Sequence, residues 1–376
     1  MLNKFTKFTA IFFVTALLGG CFPSGKNETS NVGNTEQSAV SDNNESLSVG
    51  EQIQPENVIF DLNAPVVLPS EMPSIKLTLK KWDKDELERL LLDGKEITEQ
   101  TERDCQFYPN EKLYSYDTAD KFHIYFEPGR LAIEDENELG GEFKYGSFDG
   151  DPCLASDEEL PLFSRENAVS RVNAFLDKLG ITNYGEPLII PLKADNANEI
   201  LDSYRGHKDK LGNEFEFTPW TENEEIYILI YPFVFENTEL AMTEFFIPQS
   251  NNKVSTAPHI TAFVTKDKII RFSANGVYSA SYETVENVPI NYDFNKTSEE
   301  LKKFYSYFTP EYPIKFYREK SVYIPRQMTD DRMTVTFGLG WEFSGYSEIW
   351  HYAPPFDRCP EYQYFYADTG YRYINE

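Results

Sequence analysis

The stretch Thr334-Val335-Thr336-Phe337-Gly338-Leu339-Gly340-Trp341-Glu342-Phe343 alternates without a break. Val335, Phe337, Leu339, Trp341 and Phe343 fall on one side of a period of two, and Thr334, Thr336, Gly338, Gly340 and Glu342 fall on the other. Successive side chains of an extended chain point to opposite faces, so this is a strand with one large apolar face and one small face. Glycine inside such a strand marks the close approach of another backbone or a bulge. The run Ile226 to Phe235 is apolar on both faces and holds Pro232. It predicts a covered strand with a bulge or an edge at the proline.

Three helices with start and stop signals stand among such strands. Asp83 with Glu86 makes a capping box ahead of Leu87, Leu90 and Leu91, and Gly94 can close that helix. Ser164 caps a run that sets Ala168, Val169, Val172, Leu176 and Leu179 on one face, stopped by Gly180. The third starts at Thr297, with Glu300 three residues on and Leu301, Phe304, Tyr305 and Phe308 at helical spacing. Each helix is followed by a strand-turn-strand pattern: Phe122 to Asp135 around Pro128-Gly129, Ile260 to Ser273 around Lys266-Asp267, and Tyr362 to Ile374 around Asp368-Thr369-Gly370. The fold class expected is α+β, a tandem of helix-plus-antiparallel-sheet units in which each helix covers its own sheet. The units would span 58–160, 161–290 and 291–376.

Upstream, Lys4 and Lys7 precede an apolar run from Phe8 to Leu18, too short for the ~20 residues of a membrane-spanning helix. Residues 1–20 read as an export signal. The run closes with Leu18-Gly19-Gly20-Cys21, which resembles the bacterial lipobox, and Cys21 is expected to carry the lipid. Residues 21–57 are rich in Ser, Asn, Glu and Gly and bury too little to offset the entropy of ordering, so they are expected to form a disordered tether. The whole chain carries 62 acidic against 35 basic residues and a net charge of −27. That sign argues against nucleic acid as a partner, because phosphate must be neutralised by cations.

Chemistry-bearing motifs are scarce. His123, His207, His259 and His351 stand far apart, and no His-Glu-x-x-His, Cys-x-x-Cys, Gly-x-Ser-x-Gly, P-loop or dinucleotide fingerprint is present. No metal or cofactor is therefore expected, and no catalytic residue is assigned. The acidic stretch from Glu134 to Glu159 offers oxygen ligands to a hard cation, but its spacing does not match an EF-hand loop and a solvated linker is the plainer reading. Beyond Cys21 there are three further cysteines, Cys105, Cys153 and Cys359, which cannot all pair internally. A Cys105–Cys153 disulfide and a fully reduced set both stay open. The segment from Leu301 to Glu376 is dense in aromatic residues. Trp341 has a core position on its strand, whereas Trp350, Tyr352 and Phe356, beside Pro354-Pro355, read as a stiffened loop that could present rings to a ligand or plug the last core.

The order of lipobox leader, polar tether and helix-plus-strand units ending in Tyr364-Phe365-Tyr366-Ala367-Asp368-Thr369-Gly370 resembles uncharacterised lipoproteins of Gram-positive, clostridial-type bacteria. The segment from Ser164 to Ala168 through Leu179-Gly180-Ile181 is similar to the helix of that family. In architecture the chain more distantly resembles the YycH and YycI regulators and PepSY-type domains, which modulate or inhibit at the envelope. Those regulators are held by a transmembrane helix, whereas this chain has a lipobox. The function expected is that of an extracytoplasmic, lipid-anchored protein of the cell membrane that binds or regulates an envelope protein, peptide or glycan without catalysis. An envelope glycan hydrolase working through a carboxylate pair and a structural spacer are the alternatives.

Overall fold

The structure, a computed structural model, describes residues 57–62, 69–135, 155–203, 218–243, 245–246, 253–254, 257–307, 310–348 and 358–373. All lie within the compact unit Pro55–Glu376.

In chain order the elements are β1 (Val58–Phe60), β2 (Glu71–Leu79), α1 (Lys84–Leu91), β3 (Ile97–Asp104), β4 (Lys112–Thr118), β5 (Phe122–Glu127), β6 (Arg130–Asp135) and α2 (Arg165–Lys178). Then come β7 (Leu188–Leu192), α3 (Ala194–Ser203), β8 (Ile226–Pro232), β9 (Val234–Phe235), β10 (Thr238–Leu240), β11 (Phe245–Phe246), β12 (Lys253–Val254), β13 (His259–Val264) and β14 (Ile269–Asn275). The last are β15 (Tyr278–Pro289), α4 (Phe294–Tyr305), β16 (Ile314–Met328), β17 (Thr334–Glu348), β18 (Arg358–Tyr366) and β19 (Arg372–Tyr373).

Two large sheets dominate. An eight-stranded antiparallel sheet runs β3-β4-β5-β6-β14-β13-β8-β7, and a nine-stranded sheet follows β15-β2-β17-β16-β10-β9, with β1 also on β16, β18 on β17 and β19 on β18. Of the described residues strand takes 48 % and helix 17 %, which corrects the α+β expectation: the protein is mostly β. The helix-plus-sheet tandem fails for a physical reason. The expected hairpins do form, as β5–β6, β13–β14 and β18–β19. A hairpin, however, leaves unpaired N–H and C=O groups along both edges. Here β6 pairs with β14 along Arg130–Glu134, fusing the first two hairpins into one sheet. On the other sheet β2 lies between β15 and β17, so strands from all three expected units share sheets.

The helices begin where short polar side chains can take up their first N–H groups. Asp83 accepts from the Glu86 amide at 3.0 Å, and Ser164 accepts from the Asn167 amide at 3.2 Å. Gly180 ends α2 at φ +61°, where its N–H reaches the Asp177 carbonyl and that of Ile181 reaches Leu176. The last helix starts three residues before the expected Thr297, because Asp293 is the cap and the Thr297 hydroxyl instead donates back to the Asp293 carbonyl. Helix α3 was not expected.

The strand quoted first is the centre of the nine-stranded sheet. Leu339, Trp341 and Phe343 bury against Leu301 and Tyr305 of α4, and the Trp341 Nε1–H donates to the Tyr292 carbonyl at 2.8 Å. The small face has the close approach that its glycines implied: a Cβ on Gly340 would lie 2.6 Å from the Phe365 carbonyl oxygen. Strand β8 is buried at all seven residues. Tyr227, Leu229 and Tyr231 face the core shared with α2, while Ile226, Ile228 and Ile230 face the core under α3, and Pro232 ends the strand.

Candidate functional site

Helices α1 and α2 both contribute to the core on one face of the eight-stranded sheet. Between them a cavity of about 400 Å³ reaches the sheet. Its floor follows from strand register. Ile124 on β5 stands opposite Ile133 on β6, which stands opposite Phe272 on β14, so three apolar side chains form a row across three neighbouring strands. The wall from α2 follows from helical spacing. Ala168, Val172 and Leu176 are its inward stripe, which sets Arg171, Ala174, Phe175 and Lys178 on the adjoining stripe over the opening. Phe175 meets Phe272 edge to face with centroids 5.0 Å apart. Leu90 and Leu91, at the end of α1, close the far side.

The cavity leaves apolar surface wet. Leu90, Leu91, Ile133, Phe175 and Ile269 are only partly buried although they pack against the main core. A crevice of about 100 Å³ adjoins at Leu90 and Lys178. Among the described residues the polar groups of the cavity wall are all cationic, with no carboxylate. Arg171 donates from Nη1 to the Thr265 carbonyl at 2.6 Å and from Nη2 to the Lys266 carbonyl at 2.9 Å. Lys95 pairs with Asp120 at 2.5 Å and stands 3.8 Å from the Phe122 ring centroid. Lys178 is exposed and makes no ion pair among the described residues. Asp135, on the strand that carries Ile133, is paired with Lys268 at 2.6 Å. This arrangement can hold a small ligand with an apolar body, and its described residues include no acid or nucleophile.

Two buried polar centres elsewhere are structural in character. Cys105 is buried, and its thiol donates to Glu127 Oε2 at 2.7 Å; burial, then the Glu127 carboxylate, push it up to about 12, so the thiol is not nucleophilic. On the nine-stranded sheet the Lys320 ammonium stands between Glu239 at 2.5 Å and Glu342 at 3.2 Å. Burial pulls Lys320 down, but the Glu342 and Glu239 carboxylates outweigh it and leave the group above its ordinary range. The cation separates the two acids, which makes an ion triad and not an acid–base pair.

Of the residues singled out by sequence, Cys21, Cys153, Trp350, Tyr352 and Phe356 lie outside the described residues, as do His207 and His351 and most of the acidic stretch. His123 is paired with Asp117, and His259 bonds the Ala257 carbonyl in a buried site that lowers its pKa. Among the described residues no group of three His, Cys, Asp or Glu side chains could hold a metal, and no helix is long and apolar enough to cross a membrane. Sequence reasoning found the core stripe of α2 and missed the stripe beside it. The available signal was Arg171 and Lys178 seven residues apart, flanking Ala174 and Phe175 on one helix face.

No family model and no curated protein matches the chain. The crystal structure of an uncharacterized protein from Eubacterium rectale is similar to it, with a TM-score of 0.60 at 15 % identity, over 85 % of this chain and 92 % of that one. At that identity the likeness shows a shared fold.

Proposed function

We propose that the chain is a non-catalytic, lipid-anchored binding protein on the extracytoplasmic face of the bacterial cell membrane, with a ligand seated in the cavity between α1 and α2. The observation that carries the binding part is the cavity itself: a set of partly buried leucine, isoleucine and phenylalanine side chains over a registered apolar floor. Apolar surface gathered in a concavity gains free energy when a ligand displaces its water, by about 25 cal/mol for each Å² covered. The anchoring part rests on the leader from Lys4 to Cys21 and on the resemblance to envelope lipoproteins. An acidic body of this kind is repelled by anionic headgroups, which suits a tether that holds it off the surface. Regulation of an envelope partner is compatible with this reading, ligand occupancy being what the partner would sense.

The test is native mass spectrometry of the protein purified from its own envelope, beside Ala174→Trp, which fills the cavity from the exposed side of α2. The expected result is a small molecule retained by the wild type and absent from a variant that melts at the same temperature. A ligand retained equally by both would place binding elsewhere.

A further inference from the structure

We infer that the cavity takes an acyl-chain carboxylate, its head at Arg171 and its chain on the row Ile124, Ile133 and Phe272, with Lys178 a second cation farther along the same wall. This inference rests on the binding reading above and adds the class of ligand. Charge is the first ground. In a chain of net charge −27 an arbitrary pocket should be lined by acids, yet among the described residues this one has three cations and no carboxylate. The charge of Lys95 is answered by Asp120, which leaves Arg171 and Lys178 to meet an anion.

Geometry is the second ground. The Arg171 guanidinium is pinned by the Thr265 and Lys266 carbonyls, which are neutral acceptors, so its positive charge stays available and its remaining N–H groups are held in place before a ligand arrives. Lys178 lies two helical turns along the same face, seven residues on. Two helical turns are about 10 Å, so Arg171 is the direct partner of a small anionic head and Lys178 adds positive potential farther along the same wall. The floor selects against polar bodies: Ile124, Ile133 and Phe272 have no donor or acceptor, so sugar hydroxyls laid there would lose their hydrogen bonds to water without replacement. A saturated chain loses nothing on the same surface. At about 400 Å³ the cavity is within the range of small-molecule sites, roughly 300–1,000 Å³.

The experiment is isothermal titration of the full-length protein with three ten-carbon amphiphiles below their micellar concentrations: decanoate, decan-1-ol and decyltrimethylammonium. Decanoate is expected to bind about tenfold or more tightly than decanol, because a charge-assisted head contact is added to the same chain burial. The ammonium should bind weakest. Lys178→Gln, at an exposed position, should reduce the preference for decanoate over decanol and leave decanol itself unchanged. Arg171→Gln should do the same more strongly, and because Arg171 also ties down the turn after β13, its melting temperature is compared with that of the wild type. Equal binding of decanoate and decanol, or a preference for decanoate that survives both substitutions, would overturn the carboxylate assignment while the cavity reading stands. Failure of all three to bind the wild type, or binding unaffected by Ala174→Trp, would count against the cavity reading itself.

Discussion

Gly340→Ala places one methyl group where a buried side chain and a neighbouring backbone both crowd the central strand. A Cβ there would lie 2.0 Å from Ile324 Cδ1, 2.8 Å from Ile324 Cγ1 and 2.6 Å from the Phe365 carbonyl oxygen. Ile324 is fully buried and can yield only by leaving its rotamer, and overpacking of that kind costs roughly 1–3 kcal/mol. The carbonyl belongs to β18, which pairs with β17 from Gly340 to Glu348, so relieving that contact means sliding a nine-residue strand. The expected cost is therefore near the upper end, about 3 kcal/mol. Gly338→Ala is the internal control. Its new methyl group would meet the Arg326 side chain, which can swing away at the loss of its paired bonds to Asp368 at 2.9 and 2.6 Å. The pair is partly exposed, and about 1 kcal/mol is expected. Urea unfolding followed by circular dichroism reads both: the midpoint should fall for each variant, further for Gly340→Ala, with unchanged slope. A Gly340→Ala midpoint within error of the wild type would refute the close approach of β18, and with it the reason for glycine on this face.

Three further outcomes are expected. Cys105 should resist iodoacetamide at pH 8 in the folded protein and react on unfolding without reductant, because it is buried and its thiol is pushed up to about 12; failure to react after unfolding would instead indicate a disulfide to Cys153 or Cys359. Glu319 has two buried carboxylate oxygens without a hydrogen-bond partner among the described residues, and burial raises it from 4.5 to about 8, so the folded state binds its proton more tightly. Stability is then full below about pH 4.5 and declines as pH rises toward 8, and Glu319→Gln should be level with the wild type at pH 4.5 and about 2 kcal/mol more stable at pH 8, after discounting for the solvent the side chain still sees; equal pH profiles of denaturant midpoint would contradict it. Cys21→Ser should move the protein out of the membrane fraction or leave it unprocessed, and normal processing with retention would argue against the lipid anchor.

What sequence could reveal was local. The caps Asp83 and Ser164, the stop at Gly180 and the three hairpin turns depend on residues a few positions apart, and the structure has them. The start of α4 was displaced because Asp293 and Thr297 can both cap, and only the fold shows that the Thr297 hydroxyl turns back to Asp293. Strand partners were not legible. Backbone N–H and C=O groups carry no label, so nothing in Arg130–Asp135 says that it pairs with Ile269–Asn275 rather than closing a unit of its own. The Lys320 triad joins three strands, β10, β16 and β17, and shows no spacing. The cavity was hidden for the same reason: Leu90, Ile133, Arg171 and Phe272 meet only once α1 and α2 are known to cover the same sheet.

Methyl NMR of the full-length protein labelled at isoleucine, titrated with decanoate, tests the central claim most directly. Ile124, Ile133 and Ile269 border the cavity, whereas Ile228 and Ile270 lie in the core under α3 and Ile314 lies under α4. The expected result is saturable shifts at the first three, absent in Ala174→Trp, with the others unmoved. Shifts spread evenly over all six, or confined to the isoleucines outside the cavity, would contradict it.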